Sequence, residues 1–205
     1  MNIKALLYKY THALRRVKTL FYKYWNRFFF SIAGVDYKDN MRVFNRFYLS
    51  VTPSSKVKIG RNFTFVSGDS INRISRNIMG GICAGPNATI TIGDNVGISA
   101  SSIRAKESIT IKDYVKIGAD CILLDTDSHN VDYMIRRGAN DHVSSKSAPI
   151  VIEEDVLIGT RCVILKGVTI GARSIIGAGS VVTKSIPPDS IAAGNPCRVI
   201  KLLTT

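Results

Sequence analysis

From Ile152 onward an aliphatic residue returns at every sixth position: Ile152, Ile158, Ile164, Ile170, Ile176 and Val182. Glycine follows three of them, at Gly159, Gly171 and Gly177. A small or β-branched residue (Val156, Cys162, Val168, Ser174, Ser180) stands two places before each next aliphatic. A helix repeats near 3.6 residues and a lone strand at 2, so neither generates a strict period of six. Three short strands joined by corners do, when each strand sends one large and one small side chain inward. Hexapeptide repeats of this kind predict a parallel β-helix, in which the core is built by stacking coils.

The pattern extends upstream with interruptions. Ile59-Gly60 opens an imperfect hexad that leads to Phe65, and Ile92, Ile98, Ile111, Ile117 and Leu123 carry the clean ones. Ile71 to Pro86 is ragged, and Gly80-Gly81 predicts a turn or bulge there. A one-residue slip falls in Arg104-Ala-Lys-Glu-Ser108. The array stops at Asp125 and restarts at Ile150, so residues 125–149 form a polar loop that protrudes from one corner. Loops of this length inside a repeat array are usually functional. Pro187-Pro188 closes the sheets, because proline has no amide hydrogen for a ladder.

At the other end, Ile3, Leu6, Leu7, Tyr10, Leu14, Val17, Phe21, Tyr24 and Phe28 recur at helical spacing. The expected organisation is a basic amphipathic helix over 1–34, a transitional segment over 35–56, the β-helix over 57–188 and a C-terminal cap over 189–205. The helix carries Lys4, Lys9, Arg15, Arg16, Lys18, Lys23 and Arg27 and no acid, seven of the thirteen excess positive charges of the chain. Two arrangements suit it. It can lie on an anionic leaflet as a peripheral membrane contact, or it can pack its apolar face on its own coil or a neighbouring subunit. No apolar run is long enough to span a bilayer, and none reads as a secretory signal. The expected address is the cytoplasm, with the inner membrane face as the place for peripheral contact. The four cysteines are widely spaced, and Cys121 and Cys162 fall at small inward positions, which suits buried free thiols in a reducing compartment.

A coil is a scaffold, so chemistry has to be sought at the break. His12 lies in the basic helix and reads as a surface residue; His142 lies inside the loop. His129 follows Leu123-Leu-Asp-Thr-Asp-Ser128, where the array stops. A neutral imidazole there can take a proton from a hydroxyl, with Asp125 and Asp127 as candidates to orient it. Asp125, Asp127 and His142 are also candidates to contact substrate.

The hexads, Asp125-Thr-Asp-Ser-His129, the loop, and Ile186-Pro-Pro-Asp-Ser-Ile-Ala-Ala-Gly-Asn-Pro-Cys-Arg-Val-Ile200 together resemble the hexapeptide-repeat acyltransferases. The likeness is to the branch of maltose, galactoside, xenobiotic and capsular or O-antigen polysaccharide O-acetyltransferases, over roughly residues 57–203. It implies an all-β, left-handed parallel β-helix, and a homotrimer with active sites in clefts between subunits. It further implies acetyl-CoA as acyl donor and direct transfer to a hydroxyl of a sugar or surface glycan, with His129 as the base and no metal. Ser99 matches a polar position facing the acceptor. Gly159, Thr160, Ala178 and Gly179 match the surface along the pantetheine arm, and Lys184 and Arg198 match basic positions for the nucleotide phosphates. Relatives often carry Trp where this chain has Leu157 and Ala where it has Thr160, which bears on the detail of those contacts.

Other classes fit less well. A zinc enzyme resembling the γ-class carbonic anhydrases needs three ligands, generally histidines, and the repeats supply His129 alone. Nucleic-acid binding would need basic and stacking aromatic residues along a groove, whereas half of the excess charge sits in one segment. The interrupting loop and its histidine speak against a purely structural solenoid. A free sugar or a xenobiotic is the alternative acceptor to a glycan.

Overall fold

The computed structural model describes residues 2–68 and 78–203. Helix α1 (Ile3–Ile32) is capped by Asn2, whose side chain accepts from the Lys4 amide, and ends before Gly34 at φ +69°. Twenty strands follow among the described residues. The first coil comprises β1 (Asp36–Tyr37), β2 (Arg42–Phe44) and β3 (Tyr48–Val51), and the second comprises β4 (Lys56–Ile59), β5 (Thr64–Val66) and β6 (Gly81–Ala84). The third holds β7 (Thr89–Ile92), β8 (Gly97–Ser99) and β9 (Ser102–Ala105), and the fourth holds β10 (Ser108–Ile111), β11 (Lys116–Ile117) and β12 (Ile122–Leu124). After the loop and its short helix α2 (Tyr133–Arg136) come β13 (Ile150–Ile152), β14 (Leu157–Ile158) and β15 (Val163–Leu165). The last coil is β16 (Thr169–Ile170), β17 (Ile175–Ile176) and β18 (Val181–Val182). An antiparallel pair, β19 (Ser190–Gly194) and β20 (Cys197–Leu202), caps the far end.

Every third strand joins the same sheet, and all pairs are parallel until the cap. The result is a left-handed β-helix with three flat faces. Its aliphatic residues stack in register. Ile59, Ile92, Ile111, Ile152 and Ile170 form one column. Val43, Phe65, Ile98, Ile117, Ile158 and Ile176 form the second, and Leu49, Ile82, Ile103, Leu123, Ile164 and Val182 the third. Nearly all of these side chains are fully buried. The period of six is thus the distance from one column to the next around the coil.

The corners turn through left-handed backbone. Asn40, Asn62, Asn95, Tyr114, Asp155 and Arg173 all have φ between 57° and 61° at equivalent corners. Asparagine tolerates that conformation better than most residues that carry a side chain, and here it also links coils: Asn40 Nδ2 donates to Asn62 Oδ1 at 2.8 Å, and Asn62 Nδ2 donates to Asn95 Oδ1 at 2.9 Å.

The coils start earlier than the repeat pattern suggests. Residues 35–56, expected to be transitional, supply β1, β2 and β3, because Val43 and Leu49 take inward places without the flanking glycines. Residues 71–77 of the ragged stretch lie outside the described residues; Gly80 and Gly81 lead directly into β6, where Gly81 pairs with Tyr48. All four cysteines are free, and Cys121 and Cys162 are buried.

Helix α1 docks by an unexpected face. Asn26 Nδ2 donates to the carbonyls of Val43 (3.0 Å) and Asn45 (2.9 Å), and Phe30, one turn on, packs against Phe47. Asn26 and Phe30 are the buried residues of the helix. The apolar stripe lies on the opposite side, and Ile3, Leu6, Tyr10, Leu14, Val17, Phe21, Tyr24 and Phe28 are each more than half exposed. The expectation that this stripe packs on the helix's own coil is therefore corrected. Two buried carbonyls that need donors select the Asn26 side.

Ile111 sits mid-column between Ile92 and Ile152 and is fully buried. Ile111→Ala is expected to cost about 2–5 kcal/mol, read as a lowered urea midpoint with an unchanged slope.

Candidate active site

The loop leaves the coil after β12, and its base is tied to the corner below. Asp125 is fully buried, and its two carboxylate oxygens accept the amides of Lys106 and Glu107, both at 2.7 Å. Burial pushes its pKa up, against the opposing pull of those amides. The Asp125 carbonyl accepts the amide of Ala148 on the returning limb at 3.0 Å, and Asp127 and Lys146 pair through the backbone at 3.0 Å. The one-residue slip in the sequence is this corner: Lys106 and Glu107 supply the amides that hold the loop.

Lys106 does more. Its ammonium donates to the carbonyls of His142 (2.9 Å), Val143 (3.1 Å) and Ser145 (2.7 Å) and to Ser145 Oγ (2.8 Å). Glu107 accepts from Ser147 Oγ at 2.8 Å. The returning limb is thereby held against the coil, and with it Asp141. Asp141 is almost buried, and its Oδ2 lies 2.7 Å from His129 Nδ1. That hydrogen bond holds the Asp141 carboxyl below the usual carboxylate range. The pairing therefore stands at neutral pH and is lost only as pH falls through that lowered value.

The orienting carboxylate is thus Asp141, not Asp125 or Asp127. Asp125 is consumed by the corner amides, and Asp127 Oδ1 is bound to Lys166 Nζ at 2.6 Å. With Nδ1 against a carboxylate, Nδ1 carries the proton and Nε2 presents its lone pair. The His129 side chain is 66% exposed, so that lone pair is open to a second molecule. His142 lies with its Nδ1 4.0 Å from the other Asp141 oxygen and lines a cavity of about 700 Å³ under the loop, together with Tyr48, Arg104, Ser128 and Ser145.

The remaining candidates sit on other parts of the prism. Gly159 and Thr160 follow β14, and Ala178 and Gly179 occupy the same corner one coil on, where the Gly179 amide donates to the Thr160 carbonyl at 2.8 Å. The fit is close, since a Cβ on Gly159 would meet the Ala178 nitrogen at 2.6 Å. This edge exposes Ala178 and Gly179 as a smooth backbone strip. Lys184 lies at the next corner of the last coil, below the edge from which the loop springs, and Arg198 lies on β20. Ser99 ends β8 on a different face, away from the residues that line the loop cavity. One chain brings together His129, Asp141 and His142; it does not bring Ser99 or the Gly159–Gly179 strip to them.

Asp141 and Lys106 were not singled out from the sequence. Asp141 is twelve residues from His129 in a loop without periodicity, so no spacing marks it; the slip at Lys106 was the one visible signal. No group of three or more His, Cys, Asp or Glu residues that could hold a metal ion occurs among the described residues. No helix among them is long and apolar enough to cross a membrane.

A family model for the bacterial transferase hexapeptide (six repeats) matches residues 149–184. A solved hexapeptide-repeat acetyltransferase of Vibrio cholerae, complexed with acetyl-CoA, is 36% identical with a TM-score of 0.52, over 67% of this chain and 81% of that one. The chain belongs to the hexapeptide-repeat acetyltransferase family. Galactoside O-acetyltransferase of Escherichia coli (strain K12) is 46% identical over 113 residues, 55% of this chain and 44% of the relative. The match thus spans less than half of that protein's length. The solved polySia-specific acetyltransferase NeuO is 25% identical with a TM-score of 0.66, over 83% of this chain and 68% of that one.

Lys106→Met removes one ammonium from four acceptors at the returning limb. Amide hydrogen exchange over residues 141–147 is expected to quicken about 10- to 100-fold, the loss of one or two charge-assisted bonds, while β10 and β13 keep their protection.

Proposed function

We propose that this protein is an acetyl-CoA-dependent O-acetyltransferase acting on a hydroxyl of a sugar or surface glycan, with His129 as general base. The observation that carries this reading is the His129–Asp141 pair at 2.7 Å, its ring exposed where the coil opens. The family supports the donor, since the Vibrio cholerae relative is complexed with acetyl-CoA. It supports the acceptor class as well, since one relative is a galactoside O-acetyltransferase and another a polySia-specific acetyltransferase.

In this mechanism Nε2 of His129 takes the proton of the acceptor hydroxyl as its oxygen attacks the thioester carbonyl. The C–O bond forms, the C–S bond breaks, and the imidazolium returns the proton to the departing thiolate. Asp141 holds the ring in the tautomer that has Nε2 free and stabilises the cation that forms. Holding both substrates in one cleft supplies the remaining advantage by proximity. No cysteine is needed, and the thiols of Cys121 and Cys162 are buried in the core.

A homotrimer would complete the cleft. Ser99, the Gly159–Thr160 and Ala178–Gly179 strip, Lys184 and Arg198 would bind the acceptor and the CoA arm and phosphates, opposite His129 of an adjacent copy. Asp127 and His142 would flank the acceptor from the loop.

His129→Ala is expected to lower kcat about 10²- to 10⁴-fold, followed as thiol release from acetyl-CoA against a sugar panel, with CoA affinity retained. Asp141→Asn is expected to lower kcat in the same assay without loss of fold. Full activity in His129→Ala sinks the base assignment, and absence of CoA binding by the wild-type protein sinks the transferase reading.

Helix α1 would hold the enzyme at an anionic membrane face. Its apolar stripe points away from the coil, and no acid precedes Asp36 to oppose its basic residues. Full-length protein is expected to float with vesicles containing anionic lipid and not with neutral ones, and Leu14→Glu with Phe21→Glu is expected to release it. Self-association without flotation, abolished by the same pair, would assign the stripe to a neighbouring subunit.

A further inference from the structure

The cavity beneath the loop carries a charge that no acid among the described residues pairs with. Arg104 stands on the outer face of β9, and its ladder neighbours are Cys83 on one side and Leu124 on the other. It forms no ion pair among the described residues; burial pushes the Cys83 thiol up, and the Arg104 charge beside it partly offsets that. The described carboxylates around the loop base are engaged elsewhere: Asp125 with the Lys106 and Glu107 amides, Glu107 with Ser147, Asp127 with Lys166, and Asp141 with His129.

Arg104 lies where two cavities meet, one of about 700 Å³ and one of about 370 Å³. Ser128, next to His129 in the chain, lines both. Among the described residues neither lining contains an aspartate or glutamate, while the larger adds Lys106 and His142 to Arg104. The rest of the larger wall suits a hydroxylated ring: Tyr48 offers an aromatic face, and Ser50 and Ser128 offer hydroxyls. An unpaired guanidinium in a positive, carboxylate-free cavity is a receptor for an oxyanion, which its planar fork binds through two parallel bonds.

We propose that the acceptor is an acidic sugar, and that Arg104 seats its carboxylate or phosphate in the cavity beside His129. This rests on the transferase reading above and adds the acceptor's charge to it. A neutral sugar in the same cavity would leave the guanidinium answered by water alone, so the site discriminates by charge as well as by shape. Arg104 is a specificity residue: it holds the acceptor away from the reacting carbonyl, so its removal acts on KM more than on kcat.

The test is acetyl-CoA turnover with glucose, glucuronate and glucose 6-phosphate as paired acceptors, for wild-type protein, Arg104→Gln and Arg104→Lys. Wild-type kcat/KM is expected to favour an acidic sugar over glucose at least about tenfold. In Arg104→Gln the KM for the acidic sugar rises about 10- to 100-fold and the preference collapses, and Arg104→Lys restores part of it. Glucuronate against glucose 6-phosphate tells which oxyanion the fork takes. Equal efficiency on neutral and acidic sugars, or an unchanged KM in Arg104→Gln, overturns the proposal while leaving the transferase reading intact. If none of the three sugars turns over, calorimetric titration of glucuronate and glucose 6-phosphate into wild-type and Arg104→Gln decides the anion site alone: binding lost in the variant supports it, and no wild-type binding overturns it.

Discussion

The molecule depends on three columns of aliphatic side chains stacked in register, one along each face of the prism. A coil that slipped by one residue would turn its whole inward set to solvent, so each coil is locked to the one below. The columns need large aliphatic groups at every sixth place, and the corners need backbone that turns left-handed without strain. Asn40, Asn62 and Asn95 meet the second need and add side-chain bonds between coils. Corners are therefore where the chain can lengthen without disturbing the core. Residues 125–149 leave at one of them, and Ile109 still pairs directly with Ile150 across the gap.

Because that loop buries almost no apolar side chain, polar bonds have to hold it. Asp125 and Lys106 act as opposite halves of one fastening, a carboxylate from the loop on coil amides and an ammonium from the coil on loop carbonyls. The consequence is chemical. A histidine on a loose loop would sample many orientations, whereas His129 is oriented by an Asp141 whose chain neighbour His142 is pinned to the rigid coil by the Lys106 ammonium on its carbonyl. Rigid support of this kind is what the proposed role of His129 as general base requires.

Helix α1 shows how a few buried polar groups can outweigh a long apolar stripe in deciding orientation. The open end of the first coil presents the carbonyls of Val43 and Asn45, which would be costly to bury unpaired. Asn26 answers both, and Phe30 beside it covers Phe47. The stripe from Ile3 to Phe28 is then turned outward, with basic residues along its flanks.

The strict period of six by itself determined the coiled sheets, the inward residues from Ile92 to Val182, the buried thiols and the place where the array breaks. Those features follow from local repetition, which each hexad states again. The place of His129 in the chain was legible for the same reason, since it stands where repetition stops. The first coil was not, because Tyr37, Val43 and Leu49 take inward places without the glycine spacing that marks later hexads. Nor were the partners of His129: Asp125 and Asp127 are nearer in sequence, but the chain doubles back and delivers Asp141. Which face of α1 meets the coil, and that Arg104 on β9 has no ion pair among the described residues, were likewise decided only in three dimensions. Both depend on pairing between groups far apart in the chain, and no periodicity records that.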